Sequence, residues 1–223
     1  VHEMLHQMGA FDLYDVHSDL PSSTWNGLGD WDIMASGNWN DNGRTPSMPG
    51  SATLDLIGAP GVFDVDISQD GIYEINSIGR LLEGNRVLSL DTAPGERVLI
   101  SFRSDNGFDS ALPGHGILVE YQDLNNGNSD DNTVNHDPNN AWVRIIEADG
   151  DDALLRNRDS GSEGDTFSIN ETFGSTGIKI RDNRGRLVHW TATVSQINED
   201  SAVIGISIPS PPNSPLDSVC ILE

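Results

Sequence analysis

From Val62 onward the chain reads in short apolar runs, several of them alternating with period two. They fall at residues 62–65, 72–75, 86–90, 98–102, 117–121, 142–146, 178–180 and 203–208. Runs this short, bounded by turn residues, predict strands rather than helices. Between most of them lie turn signals: Gln69-Asp70-Gly71, Ala93-Pro94-Gly95-Glu96 and Asp182-Asn183-Arg184-Gly185. Many short strands with polar, glycine-bearing turns predict an antiparallel β-sandwich over 61–208. Before the break at Ala59-Pro60-Gly61 the pattern differs. There a short helix is expected around 47–57, with Met48, Ala52, Leu54 and Ile57 facing inward, among Gly-, Asp- and Trp-rich loops. The expected class is α+β, with residues 1–60 as one unit, 61–208 as the sandwich and Pro/Ser-rich 209–223 as an extended linker. No internal repeat of fixed period is evident.

The densest chemistry opens the chain: His2-Glu3-Met4-Leu5-His6-Gln7-Met8-Gly9-Ala10-Phe11-Asp12. Helical residues four apart are turned by only about 40°, so His2 and His6 project from one face. Two neutral imidazoles so placed can hold zinc at about 2.0–2.1 Å, leaving positions for a third protein ligand and a water. Glu3, beside the first ligand, is placed to take a proton from that water. Gly9 permits the positive φ that ends a helix and turns the chain back, and Asp12 then offers a carboxylate to complete the site. The expected metal ligands are His2, His6 and Asp12, with Glu3 catalytic. His17 could rival Asp12 as a ligand or stabilise an oxyanion, although an ordinary loop histidine is the simpler reading. His136 could reach the cleft or a calcium loop, while His115 and His189 are most simply structural, at strand edges.

The pattern His-Glu-x-x-His-x-x-Gly-x-x-Asp resembles the metzincin-like zinc peptidases, and more narrowly the immune-inhibitor-A family of secreted bacterial metallopeptidases. Asp12-Leu13-Tyr14-Asp15 follows the motif as in that family. Trp31-Asp32-Ile33-Met34-Ala35-Ser36-Gly37-Asn38-Trp39-Asn40 looks like its Met-turn, in which a methionine packs beneath the metal. Softer likeness continues through Gly107-Phe108-Asp109, the stretch 112–121, Glu147-Ala148-Asp149-Gly150 and Gly164-Asp165, to about residue 208. The resemblance implies a secreted zinc endopeptidase acting on proteins or peptides, with residues 1–60 the C-terminal part of a zincin-type catalytic domain. Tyr14 and His17 are the candidates to assist the zinc at the oxyanion. Peptidases of this kind hold substrate on the edge strand of a sheet. Nothing ahead of Val1 supplies one, so the chain is expected to be an N-terminally truncated fragment with little activity alone.

Charge and composition narrow the remaining classes. The 223 residues carry 35 acidic and 12 basic side chains, a formal charge of −23. Such a surface repels phosphate backbones and excludes nucleic acid as a partner. It suits calcium binding, or solubility in salty surroundings. The Asx-rich stretch 123–132 and the segments 149–152 and 159–165 are the candidate calcium loops, although 123–132 departs from the EF-hand pattern. No apolar run approaches the roughly 18 residues that span a bilayer. The lone Cys220 excludes an internal disulfide framework and a cysteine zinc site. The alternative function from another class is a calcium-stabilised β-sandwich for binding or adhesion, with a non-functional histidine site.

Overall fold

The computed structural model describes residues 1–17, 25–79, 84–127, 130 and 133–209. Cys220, nearly all of the linker and part of the 123–132 loop lie outside them. Two five-stranded sheets form the frame. Sheet A has the order β1 (Val62–Asp64), β3 (Val87–Ala93), β4 (Glu96–Arg103), β5 (Gly116–Asp123), β6 (Val143–Ile145). Sheet B has the order β2 (Gly71–Asn76), β10 (Ser201–Ser207), β9 (Thr191–Ile197), β7 (Thr172–Gly174), β8 (Ile178–Lys179). Leu88, Ile100 and Val119 of sheet A pack against Ile75, Phe173, Val194 and Ile204 of sheet B, which makes the pair a sandwich.

The sandwich is mixed, not purely antiparallel as the run pattern suggests. β1 pairs with β3 in parallel and β7 with β8 in parallel. Between β1 and β3 the chain crosses to sheet B to form β2, so it returns beside β1 in the same direction. Strands β7 and β9 were not among the expected runs. Thr191-Ala192-Thr193-Val194-Ser195 offers only two apolar side chains, but both are fully buried, and the intervening Thr and Ser face outward.

Sheet A is buried on both faces. Along β5, Ile117, Val119 and Tyr121 join the sandwich core, while Leu118 turns the other way into a second core. That second core mixes Leu99, Leu118, Val143 and Ile145 of sheet A with Leu13, Trp31, Ile33, Met34, Ala52 and Leu54. Residues on both sides of the 60/61 boundary therefore share one apolar cluster. The result is three layers: the N-terminal loops and helices, sheet A, and sheet B.

The N-terminal layer holds α1 (His2–His6), a one-turn element α2 (Asn40–Gly43) and α3 (Ser51–Leu56). Helix α3 starts at Ser51, four residues later than the apolar spacing suggests. Pro49 disfavours helical geometry at Met48, and Gly50 is extended (φ −70°, ψ −179°). Orphan N–H groups at its start meet carboxylates from far away. Gly50 N donates to Asp32 Oδ2 (2.8 Å), Ser51 N to Glu120 Oε1 (2.7 Å) and Ala52 N to Glu120 Oε2 (2.9 Å). A Cβ on Gly50 would stand 2.8 Å from both Asp32 Oδ2 and Glu120 Oε1, so only glycine fits between the two acids.

Arg103, at the end of β4 and fully buried, closes this network. Its Nε and Nη2 grip Asp109 (2.8 and 3.0 Å), and its Nη1 donates to the Trp31 carbonyl (3.1 Å). Burial pushes the Asp32 and Glu120 carboxyls above their ordinary range, and the charge of Asp32 raises Glu120 further. One cation thus faces Asp32, Asp109 and Glu120, all fully buried. Removing one partner of a buried charge pair typically costs about 3–5 kcal/mol. Arg103→Met is expected to destabilise the fold by about that amount in urea denaturation. A loss below about 1 kcal/mol, the range of exposed pairs, would show that Arg103 is not what compensates these acids.

Candidate metal centre

Helix α1 is only five residues long, with Leu5 as its buried anchor. It ends where Gly9 takes φ +96°, a backbone open only to glycine without strain. Gly9 N donates to the His6 carbonyl (3.0 Å) and Ala10 N to the Leu5 carbonyl (3.0 Å), so the chain folds back under the helix. Three side chains meet there. His2 Nε2 lies 3.1 Å from Asp12 Oδ1, His6 Nε2 lies 3.4 Å from the same oxygen, and the two Nε2 atoms are 3.2 Å apart.

This triangle fits a tetrahedral zinc. Ligands at about 2.0–2.1 Å in tetrahedral directions stand about 3.3–3.4 Å from one another, close to all three edges. Proton placement points the same way. His2 Nδ1 donates to the Ile33 carbonyl (2.7 Å) and His6 Nδ1 to the Ala10 carbonyl (2.8 Å). A carbonyl only accepts, so in each neutral imidazole the proton sits on Nδ1 and the lone pair on Nε2. Two nitrogen lone pairs and a carboxylate oxygen then face one point, an arrangement that a cation relieves. Such outer hydrogen bonds also fix ring orientation in metal-ligating histidines.

Glu3, exposed on α1, lines the adjoining cleft of about 400 Å³ together with His2, Tyr14, Trp25, Asn38 and Trp39. Tyr14 hydrogen-bonds to the Asp12 carboxylate. Partial burial, followed by the charges of Asp12 and Glu3, pushes its phenol up, so it remains an O–H donor. Trp39 presents 72% of its surface to solvent at the cleft wall. The floor beneath His2 is the turn at Ile33–Ala35. Met34 is fully buried there, and its carbonyl accepts from Leu13 N (2.8 Å).

The other histidines sit elsewhere. His17 is not among the cleft-lining side chains. Its ring packs edge-on against His136 (centroids 5.6 Å), and its backbone N–H donates to Asp15 Oδ1 (3.0 Å). His136 Nδ1 donates to the same buried oxygen at 2.7 Å. His115 and His189 are exposed just before β5 and β9. Within 123–132, the buried Asp123 carboxylate is taken up by Asn125, Asn126 and Asn183, the pattern of local Asx turns. A separate group, Glu147, Asp149 and Asp151, brings carboxylate oxygens within 4.8 Å of one another.

No family model, curated protein or solved structure matches this chain. The buried acids Asp32, Glu120 and Asp109 escaped sequence reading, because nothing local distinguishes them from the many other Asp and Glu residues. Glu120 alone left a trace, as the one charge in the middle of the apolar run 117–121.

Two measurements check this description. Leu at position 34 keeps volume and apolarity, so Met34→Leu is expected to cost less than about 1.5 kcal/mol in urea denaturation and to leave metal uptake unchanged. Loss of uptake would show that the thioether itself matters. For Glu147, burial pushes the carboxyl from its ordinary 4.5 up to about 7, helped by the charge of Asp165. Because the folded state then binds the proton more tightly, this group's contribution is present at low pH and lost as pH rises from 4.5 toward 7. Glu147→Gln mimics the protonated acid, so denaturation midpoints of wild type should fall relative to the variant across that window. A constant gap would show that Glu147 does not titrate there.

Proposed function

We propose that this chain carries the metal centre of a secreted zinc-dependent endopeptidase, with Glu3 as the general base for hydrolysis of peptide bonds. The observation that supports this most directly is the triangle of His2, His6 and Asp12, with both imidazoles held in the tautomer that leaves Nε2 to ligate. In this reading residues 1–60 belong to a zincin-type catalytic domain resting on the sandwich, in keeping with the likeness to the immune-inhibitor-A family.

Zinc held by these three residues would supply Lewis acidity toward water and the scissile carbonyl. Glu3 lies next to His2 in sequence and lines the same cleft, so its carboxylate takes the proton of the attacking water and returns it to the leaving amine. Tyr14 keeps its phenol proton and donates to Asp12, which orients the third ligand. Lining the cleft, it is also the better placed of the two candidates to turn that one O–H from Asp12 to a developing oxyanion, since His17 turns to His136. Exposed Trp39 offers an apolar face to a substrate side chain.

A second reading, a calcium-stabilised binding or adhesion module, is favoured by the Glu147–Asp149–Asp151 group alone. Metal titration separates the two. Zinc at one equivalent is expected on the chain, abolished in His6→Ala and retained in Glu3→Gln. In any preparation that hydrolyses casein, Glu3→Gln should cut the rate by about 10²–10⁴-fold, because the amide keeps the shape but accepts no proton. Robust hydrolysis by that variant removes Glu3 from the reaction. Calcium uptake with no zinc at the histidines would favour the second reading instead.

A further inference from the structure

We infer that Asp32 is a positioning residue for the metal centre: it holds the turn that orients both His2 and the segment bearing Asp12. This rests on the function proposed above. Asp32 is fully buried and lines no part of the cleft. Its Oδ1 accepts from Met34 N at 2.7 Å, closing a tight turn over Ile33. Closure of that turn sends two carbonyls outward to the site. The Ile33 carbonyl accepts the Nδ1 proton of His2 (2.7 Å), and the Met34 carbonyl accepts from Leu13 N (2.8 Å), the residue after Asp12. The other carboxylate oxygen, Oδ2, is anchored by Gly50 N (2.8 Å) and Thr53 Oγ1 (2.9 Å), tying the turn to α3. One carboxylate therefore has a donor from the turn on one side and two from the helix on the other. Glu120 makes a useful contrast, because it holds the same helix from sheet A but has no bond to the turn.

Asp32→Asn keeps the shape but turns an NH₂ group toward N–H or O–H donors on one side, so the turn or its anchor must shift. Two readouts on the full chain follow that shift. Zinc affinity, measured by competition with a chromophoric chelator, is expected to fall about 10-fold or more, as when outer-shell partners are lost. In the metal-free protein, ¹⁵N–¹H spectra of the imidazoles are expected to show His2 leaving its single Nδ1–H tautomer. Glu120→Gln should lower stability and leave both readouts as in wild type. If Asp32→Asn does not fold, Thr53→Val, which removes one anchor of the same carboxylate, is expected to shift both readouts in the same direction by less.

Wild-type affinity and tautomer in a folded Asp32→Asn chain, or in Thr53→Val where it stands in, would overturn the inference. Equal losses in Glu120→Gln would overturn it too, since they would indicate general loosening. If wild type takes up no zinc yet the His2 tautomer responds to Asp32→Asn, the peptidase reading fails while the positioning role stands.

Discussion

Burying Arg103 with Asp109, and placing Asp32 and Glu120 around the same point, ties the N-terminal layer to sheet A. Charges taken out of water are tolerated only where hydrogen bonds replace the lost hydration. Here those bonds come from segments far apart in sequence: the Trp31 carbonyl, the N–H groups of Met34, Gly50, Ser51 and Ala52, and the Thr53 hydroxyl. Each bond is directional, so Asp32 fixes the 31–34 turn against α3, and Glu120 fixes α3 against sheet A. Apolar packing of Trp31, Leu54, Leu99 and Leu118 supplies the cohesion, and the polar network selects one arrangement within it.

The candidate metal site is thin without that support. Helix α1 makes little more than one turn and buries only Leu5, while Val1, Met4 and Met8 are exposed. A helix this short has little stability of its own. What orients its histidines is the backbone they touch: Ala10 just past the helix for His6, and Ile33 in the floor turn for His2. The floor is pinned further where the buried Trp31 indole donates to Asp165 Oδ2 (2.7 Å), which itself closes a capping box with Ser162. The site thus has one local wall and one floor built on the sandwich.

Much of this was legible in the sequence, unevenly. The His-Glu-x-x-His spacing and Gly9 made the convergence of His2, His6 and Asp12 a local expectation, since one helical turn and one left-handed glycine decide it. Eight apolar runs marked strands β1 to β6, β8 and β10, because alternating burial leaves a period that needs no tertiary knowledge. β9 escaped because threonine and serine occupy its outward positions, and β7 because three residues carry too little pattern. Helix α3 was placed too early, since Met48 is half-buried through its loop and not through a helical face.

By itself, then, the sequence determined what short range can determine: the strand periodicity, the histidine pair on one helical face, the reversal at Gly9, and a formal net charge of −23. Tertiary structure alone decided the mixed pairing of the sheets, the burial of sheet A on both sides, and which acids became internal. His2 finds its orienting carbonyl 31 residues away, Ser51 its capping carboxylate 69 away, and Arg103 the Trp31 carbonyl 72 away. Nothing in a residue's own neighbourhood encodes such partners. A buried aspartate and an exposed one are identical as letters, and only the folded chain, by removing water from one of them, makes its hydrogen bonds obligatory.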